Sequence, residues 1–387
     1  MSDPFPERFG RYTLLQRVAV GGMAEILLAI EDTAHQGKRF VTIKRIREEY
    51  ASDPDYIDFF LTEGRVSMQC SHPNLTSSFD LDTVDGVQYL AMEYIRGHTL
   101  LDLIRAAYDA KTPITAGTAL RIVSEVAAAL DHLHGMVGPD GKAMCVVHRD
   151  VTPQNIMIDA TGSVKLIDFG IARSDVQIHK TQAGTVKGKL SYIAPEQLKS
   201  NSTIDQRADV FSLGIVLHET LTSRGLFRGK DDADTLKRIV KMPVPLVSVT
   251  RPDVPFEVDI VMQQAMERDL KRRFPSARAF GDAIDELHKL IPLASTEQLR
   301  DEVLKFCGDP PVPTLGGDSF SVLKTALRRS DSVADEAPVS DSSPEPSERD
   351  LDYFLKHGGA NVKEAEKEAT FLDAEDALTT IPKPDDN

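Results

Sequence analysis

Apolar residues along this chain fall into two rhythms. Short apolar-rich stretches at residues 11–17, 25–30 and 39–45 read as strands. Residues 79–84 and 87–93 form another pair around Asp85-Gly86, a strong hairpin turn. Between the third and fourth strands, Asp53-Pro54 has the chemistry of an N-cap and first turn. It predicts a helix over 53–70 with Ile57, Phe60, Leu61 and Val66 at helical spacing. Five strands and one helix make a small β-rich lobe. From there the rhythm is mainly helical. Residues 115–134 carry Leu120, Val123, Val126, Ala127, Leu130 and Leu133 on one face. Residues 135–143 read as a surface loop. The apolar pair 156–158 and 164–167, with a turn at Thr161-Gly162, predicts a β-hairpin. Residues 209–222 are nearly all apolar, as in a central buried helix. Helices over 276–290 and 295–307 close this larger lobe. The expected fold is α+β and bilobal, with an N-terminal extension at 1–8, a small lobe at 9–94, a helical lobe at 95–308 and a tail at 309–387.

Charge sharpens the last boundary. The chain has 387 residues and a net charge of −15. Residues 308–387 hold 18 acidic and 8 basic side chains, so 8 − 18 = −10 of that charge lies there. Residues 309–350 are rich in Pro, Ser, Asp and Glu and are expected to be disordered. Short helices are expected at 351–356 and 362–378. The acidic balance argues against nucleic acid or an anionic membrane face as partner. No apolar run reaches the ~20 residues of a membrane span, and no basic-then-apolar leader opens the chain. Cys70, Cys145 and Cys307 are odd in number and far apart, which predicts reduced thiols and a cytoplasmic protein.

The chemistry gathers between His148 and Gly170. The hairpin would fold Asn155 and Asp168 back toward each other at one mouth, close to Asp150. One carboxylate for an attacking hydroxyl, and a carboxylate plus an amide for metal ions, suit phosphoryl transfer. His148-Arg149-Asp150, Asn155 five residues on, and Asp168-Phe169-Gly170 thirteen beyond Asn155 resemble the catalytic signatures of protein kinases. Ala194-Pro195-Glu196 resembles that family's closing triplet and separates the chain from small-molecule kinases. Over residues ~9–308 the chain resembles most the bacterial Hanks-type, eukaryotic-like Ser/Thr protein kinases.

The resemblance implies a role for each matching position. Asp150 would be the catalytic base or would orient the substrate hydroxyl. Asn155 and Asp168 would hold Mg²⁺, or Mn²⁺ in its place. Lys44, in Val41-Thr42-Ile43-Lys44, would hold the α/β-phosphates of ATP and pair with Glu63. Residues 18–26 resemble the glycine-rich loop over the phosphates, with Val18, Gly21, Gly22, Met23 and Ile26 near the nucleotide and Ala19 and Ala24 in place of two glycines. Met92 would be the gatekeeper, the backbone of Glu93 and Tyr94 would bind adenine, and Met157 would lie beneath it. Arg273 would pair with Glu196, and Asp209 would brace the catalytic loop.

Residues 171–196 would be the activation loop, with Thr185 or Thr181 as its autophosphorylation site. One exchange stands out. The family usually has lysine two after the catalytic Asp and threonine where Lys189 falls; here those positions hold Thr152 and Lys189. Lys189 would then return the missing charge to the site. Pro153-Gln154 reads as Ser/Thr specificity. The expected partners are protein substrates, a second copy for trans-autophosphorylation, and phosphothreonine-reading proteins at Thr370-Phe371-Leu372-Asp373. The alternative is a pseudokinase scaffold that binds nucleotide and partners without transfer.

Overall fold

Six antiparallel strands, rather than five, open the chain. They are β1 Glu7–Phe9, β2 Tyr12–Val20, β3 Ala24–Thr33, β4 Gly37–Ile46, β5 Ser78–Val84 and β6 Val87–Glu93, in the order β1-β2-β3-β4-β6-β5. The computed structural model describes residues 5–33, 37–138, 140–168, 189–199 and 203–313. The chain divides into two units, Met1–Arg329 and Ser330–Asn387, and the second lies wholly outside the described residues. The extra strand sets Glu7 opposite Leu14, so the sheet takes in residues 7 and 8, which the sequence reading left in an extension. Between β5 and β6, Asp85 and Gly86 have φ of 51° and 83°. Both left-handed residues fit the tight turn that matches strand twist.

Helix α1, Pro54–Gln69, starts where Asp53 accepts from the Asp55 N–H. One cluster of the small lobe joins Phe9, Tyr12, Leu14, Leu27, Ala29, Val41, Ile43, Tyr89 and Ala91. A second joins Phe60 of α1 to Ala24, Ile46, Leu90 and Met92. Alternation along the strands therefore feeds two faces, and α1 covers one of them.

A second sheet follows. β7 Gly97–Thr99 pairs with β8 Ile156–Asp159, which pairs with β9 Val164–Leu166. A Cβ on Gly97 would lie 2.2 Å from the Ile158 carbonyl, so this close approach needs glycine. Helix α2, Leu100–Asp109, opens with a capping box between Thr99 and Asp102. Helix α3 is Ala116–His134. The loop after it folds on itself through a Val137–Ala143 bridge.

Helix α4, Arg207–Thr222, is buried from Ala208 to Leu221, as its mostly apolar sequence leads one to expect, and it takes Asp209, His218 and Glu219 inside with it. Around it lie α5 Asp232–Lys241, α6 Val247–Thr250, α7 Phe256–Ala265, α8 Ala277–Glu286 and α9 Thr296–Cys307. The segment expected as one helix at 276–290 is α8 followed by a 3₁₀ turn, Leu287–Lys289. After α9 the chain runs back to the link between the sheets. There Arg96 donates to the Pro310 carbonyl at 2.9 and 3.1 Å, and His98 meets the Gly308 carbonyl at 3.0 Å.

Candidate active site

The hairpin β8–β9 carries the site. Its ends are tied by the Ile167 N–H donating to the Asn155 carbonyl at 2.8 Å, which brings Asp168 back beside the 3₁₀ turn Pro153–Asn155. Leu166 also bonds out of the hairpin, donating to Asn74 O and accepting from the Thr76 N–H. The hairpin is thus fastened to the segment between α1 and β5.

Asp150 is held from both sides. The Asn155 amide donates both its hydrogens to it, at 2.8 Å to the backbone carbonyl and 2.8 Å to Oδ2. That leaves Asn155 Oδ1, a hard oxygen, facing elsewhere. Upstream, Asp209 on α4 is 1 % exposed and accepts from the N–H of His148 and of Arg149, each at 2.8 Å, and from His134 Nε2 at 2.8 Å. Burial works to raise the Asp209 carboxyl, but His134 and these N–H groups outweigh it and hold it low. Asp209 therefore stays a carboxylate that accepts all three. Arg149 has φ of 62° and Asp168 has φ of 60°. Left-handed residues outside glycine cost ~1 kcal/mol or more and persist where their surroundings fix them. The Asp209 contacts supply that fixing at Arg149. His148 is fully buried, and desolvation lowers its pKa despite Asp209, Asp150 and Asp168 nearby.

Lys44 closes the site from the small lobe. Its Nζ lies 2.5 Å from Glu63 Oε1 and 2.5 Å from Asp168 Oδ1. Lys44 is 7 % and Glu63 4 % exposed. Burial pulls the ammonium's pKa down; Asp168 and Glu63 pull it up by more, and the net direction is upward. Lys44 is therefore charged at any working pH.

Around the mouth, the sequence-predicted residues divide. Met92 is buried in the cluster with Ala24 and Phe60, opposite Thr42 in the sheet. Met157 is half-buried and pairs with Thr99. Tyr94 is half-buried near Phe40. Val18 and Ile26 are half-buried, while Ala19, Gly21 and Gly22 are exposed.

Three contacts bear on these expectations. Ala24 is 5 % exposed and belongs to the small-lobe cluster, so a ligand could reach only its backbone, while Met23 packed against it is half-buried. The Gly21 N–H closes a turn onto the Ala24 carbonyl at 2.8 Å and is not open to a phosphate. The Glu93 N–H donates to the Ser77 carbonyl at 2.9 Å, and its carboxylate takes Ser77 N–H and Lys165 Nζ, so its backbone can offer adenine its carbonyl but not its N–H.

Phe169, Gly170, Thr181 and Thr185 lie outside the described residues. Lys189 opens a 3₁₀ turn, Lys189–Tyr192; its side chain is outside them as well. Thr152 is buried, 1 % exposed, and its hydroxyl has no partner among the described residues. Glu196 and Arg273 meet in a bidentate pair, 2.7 and 3.1 Å, with the Arg273 plane 4.9 Å from the Phe211 ring. Sequence reasoning missed Arg96 and Arg47; neither lies in a recognisable motif, and only their backbone targets single them out.

Asn155 Oδ1 and the Asp168 carboxylate are oxygen donors of the hard kind that divalent magnesium or manganese takes. Among the described residues no three His, Cys, Asp or Glu cluster as a self-sufficient metal site. Two protein oxygens suit a metal whose remaining ligands are phosphate and water.

Residues 12–283 match the protein kinase domain family. The chain belongs to that family. It is 34 % identical over 282 residues to tyrosine-protein kinase MasK of Myxococcus xanthus, covering 73 % of this chain and 44 % of that protein. It is 32 % identical over 309 residues to serine/threonine-protein kinase PrkC of Bacillus subtilis, covering 75 % of this chain and 45 % of that one. The chain thus spans less than half the length of these curated relatives. The crystal structure of the Mycobacterium tuberculosis PknI kinase domain superposes with a TM-score of 0.54 at 26 % identity, over 74 % of this chain and 99 % of that one. A protein kinase domain uses ATP with a divalent metal and acts on protein substrates. Among the described residues no helix is long and apolar enough to cross a membrane.

Proposed function

We propose that this chain is a serine/threonine protein kinase that moves the γ-phosphate of Mg-ATP to hydroxyls of protein substrates in bacterial signalling. The observation that carries it is the triad of Lys44, Glu63 and Asp168. One ammonium, nearly buried, bridges carboxylates from α1 and from the end of the β8–β9 hairpin. Such a link has little value to a scaffold. In a phosphotransferase it keeps the phosphate-binding cation and a metal-binding carboxylate in register.

In this reading Asp150 receives the substrate hydroxyl and accepts its proton as the oxygen attacks the γ-phosphorus in line. Asn155 fixes the Asp150 side chain so that one oxygen stays aimed. Lys44 neutralises charge on the α- and β-phosphates. Asn155 and Asp168 would hold Mg²⁺, which when bound supplies charge neutralisation along the phosphates. The small-lobe loop at 18–26 covers the phosphates, and the segment from Met92 to Tyr94 lies along the adenine. Lys189 stands in for the lysine that Thr152 replaces, and Thr185 or Thr181 takes the regulatory phosphate. Magnesium rather than manganese, trans-autophosphorylation by a second copy, and phosphothreonine readers of the tail belong to the same proposal.

The relatives carry both serine/threonine and tyrosine in their names. Pro153-Gln154 after Asp150 supports the hydroxyls of serine and threonine. Phosphoamino-acid analysis after incubation with Mg-ATP tests this. Phosphoserine or phosphothreonine is expected; phosphotyrosine alone would reverse the specificity, and no phosphate at all would favour the scaffold.

A further inference from the structure

Arg47, one residue past β4, has no part in the roles above, yet its side chain reaches the tip of the loop over the phosphates. Nη1 donates to the Gly21 carbonyl at 3.3 Å and to the Gly22 carbonyl at 3.1 Å. Its own N–H donates to the Met23 carbonyl at 3.0 Å. Glu49 holds the guanidinium from the other side at 2.8 Å, and the group lies 5.7 Å from the Tyr50 ring centre. One side chain thus fixes two successive peptide carbonyls.

A trans peptide is planar, and its C=O and N–H point in opposite directions. Turning the Gly21 carbonyl to Arg47 therefore sends the Gly22 N–H away from it. Turning the Gly22 carbonyl to Arg47 does the same for the Met23 N–H. Among the described residues neither of these two N–H groups has a backbone partner. Gly21 is the contrast, since its N–H already closes onto Ala24. Two consecutive N–H groups aimed to one side form a concavity suited to an anion. A Cβ at Gly22 would meet nothing within 4 Å, so the loop tip is uncrowded at that residue.

We infer that Arg47 is a positioning residue that orients the Gly22 and Met23 N–H groups toward the phosphates of ATP. This rests on the reading that the loop covers those phosphates. It also gives the two alanines a context: with Ala19 and Ala24 in place of glycines, the loop tip is held from outside by a side chain.

The test compares the full chain with Arg47→Ala, Arg47→Met and Arg47→Lys. Binding of Mg-ATP, Mg-ADP and adenosine is measured by calorimetry, beside KM and kcat for ATP. Arg47→Met keeps an apolar stem over Tyr50, and apo thermal unfolding checks that each variant folds. Removing the guanidinium should weaken ATP and ADP about tenfold, the scale of one or two hydrogen bonds to charge. Adenosine binding should stay within about twofold, and the change should fall on KM more than on kcat. Lysine should recover part of the loss. Unchanged ATP affinity in Arg47→Met, or a parallel loss of ATP and adenosine, would overturn the inference. If the unaltered chain binds adenosine as tightly as ATP, the phosphate-covering role of the loop falls first, and the inference with it.

Discussion

Lys44 is the residue on which β4, α1 and the β8–β9 hairpin converge. Replacing it with Met leaves Glu63 buried without its cation and removes the charge that would face the phosphates. Steady-state kinetics should show kcat/KM lowered on the order of a hundredfold or more, and a variant within about threefold of the parent would contradict the role. Residue-scale chemistry also predicts a pH effect far from the site. Glu219 on α4 accepts from the Tyr192 hydroxyl at 2.6 Å and the Leu226 N–H at 3.0 Å. Burial pushes its carboxyl from 4.5 up to about 7. Between those values the folded chain keeps a proton that the unfolded chain has released, so Glu219 erodes stability as pH rises through that window. Neighbouring His218, which burial pushes from 6.5 down to about 4, does the reverse between 4 and 6.5. Glu219→Gln removes only the falling part. Its melting temperature relative to the parent should climb from pH 5 to pH 8; a difference flat with pH would count against the buried acid. Nothing in the sequence marks Glu219, because its pKa comes from burial. The nearness of Asp150, Asn155 and Asp168 was legible because one short turn and one short hairpin separate them.

At the scale of elements, strands and helices with one clear periodicity were legible. Helix α3 runs Ala116–His134 against an expected 115–134, and α4 opens two residues before its expected start. What escaped had mixed signals. β1 is three residues long and takes its place only by pairing with β2. Helix α7 exposes Phe256 and Ile260, which blurs its apolar stripe. Helix α2, which the sequence reading passed over, opens on a capping box between Thr99 and Asp102. The 276–290 helix breaks because its last turn tightens to 3₁₀ at Leu287. Two contacts between elements carry predictions. Arg273→Ala strands Glu196 in the core and removes donors to the Glu267 and Arg207 carbonyls. Urea unfolding should show a loss of ~3–5 kcal/mol; a loss under about 1 kcal/mol would mean the pair is dispensable. Gly97→Ala drives a methyl into the Ile158 carbonyl. It should part β7 from β8 and lower the melting temperature, whereas an unchanged melt would show that β7 shifts freely.

For the whole molecule, a small strand-rich lobe followed by a larger helical lobe was legible from element order, and the kinase fold from the resemblance of the motifs at 148–170 and 194–196. How the link after β6 is anchored to the chain beyond α9 was not. The Arg96 and His98 bonds to Pro310 and Gly308 link positions more than 200 residues apart and use backbone carbonyls, which leave no trace in side-chain pattern. The acidic excess of 309–387 was plain from counting, while its role stays a proposal. In the proposed function the two lobes together form a phosphate-transferring site with Asp150 at the hydroxyl. The direct measurement is transfer of labelled γ-phosphate from Mg-ATP by the full chain and by Asp150→Asn, with nucleotide binding followed in parallel. Loss of an aimed general base predicts a fall of about 10²–10⁴ in rate with ATP affinity nearly unchanged. Equal transfer by the two proteins, or none by the unaltered chain under conditions where it binds ATP, would contradict it.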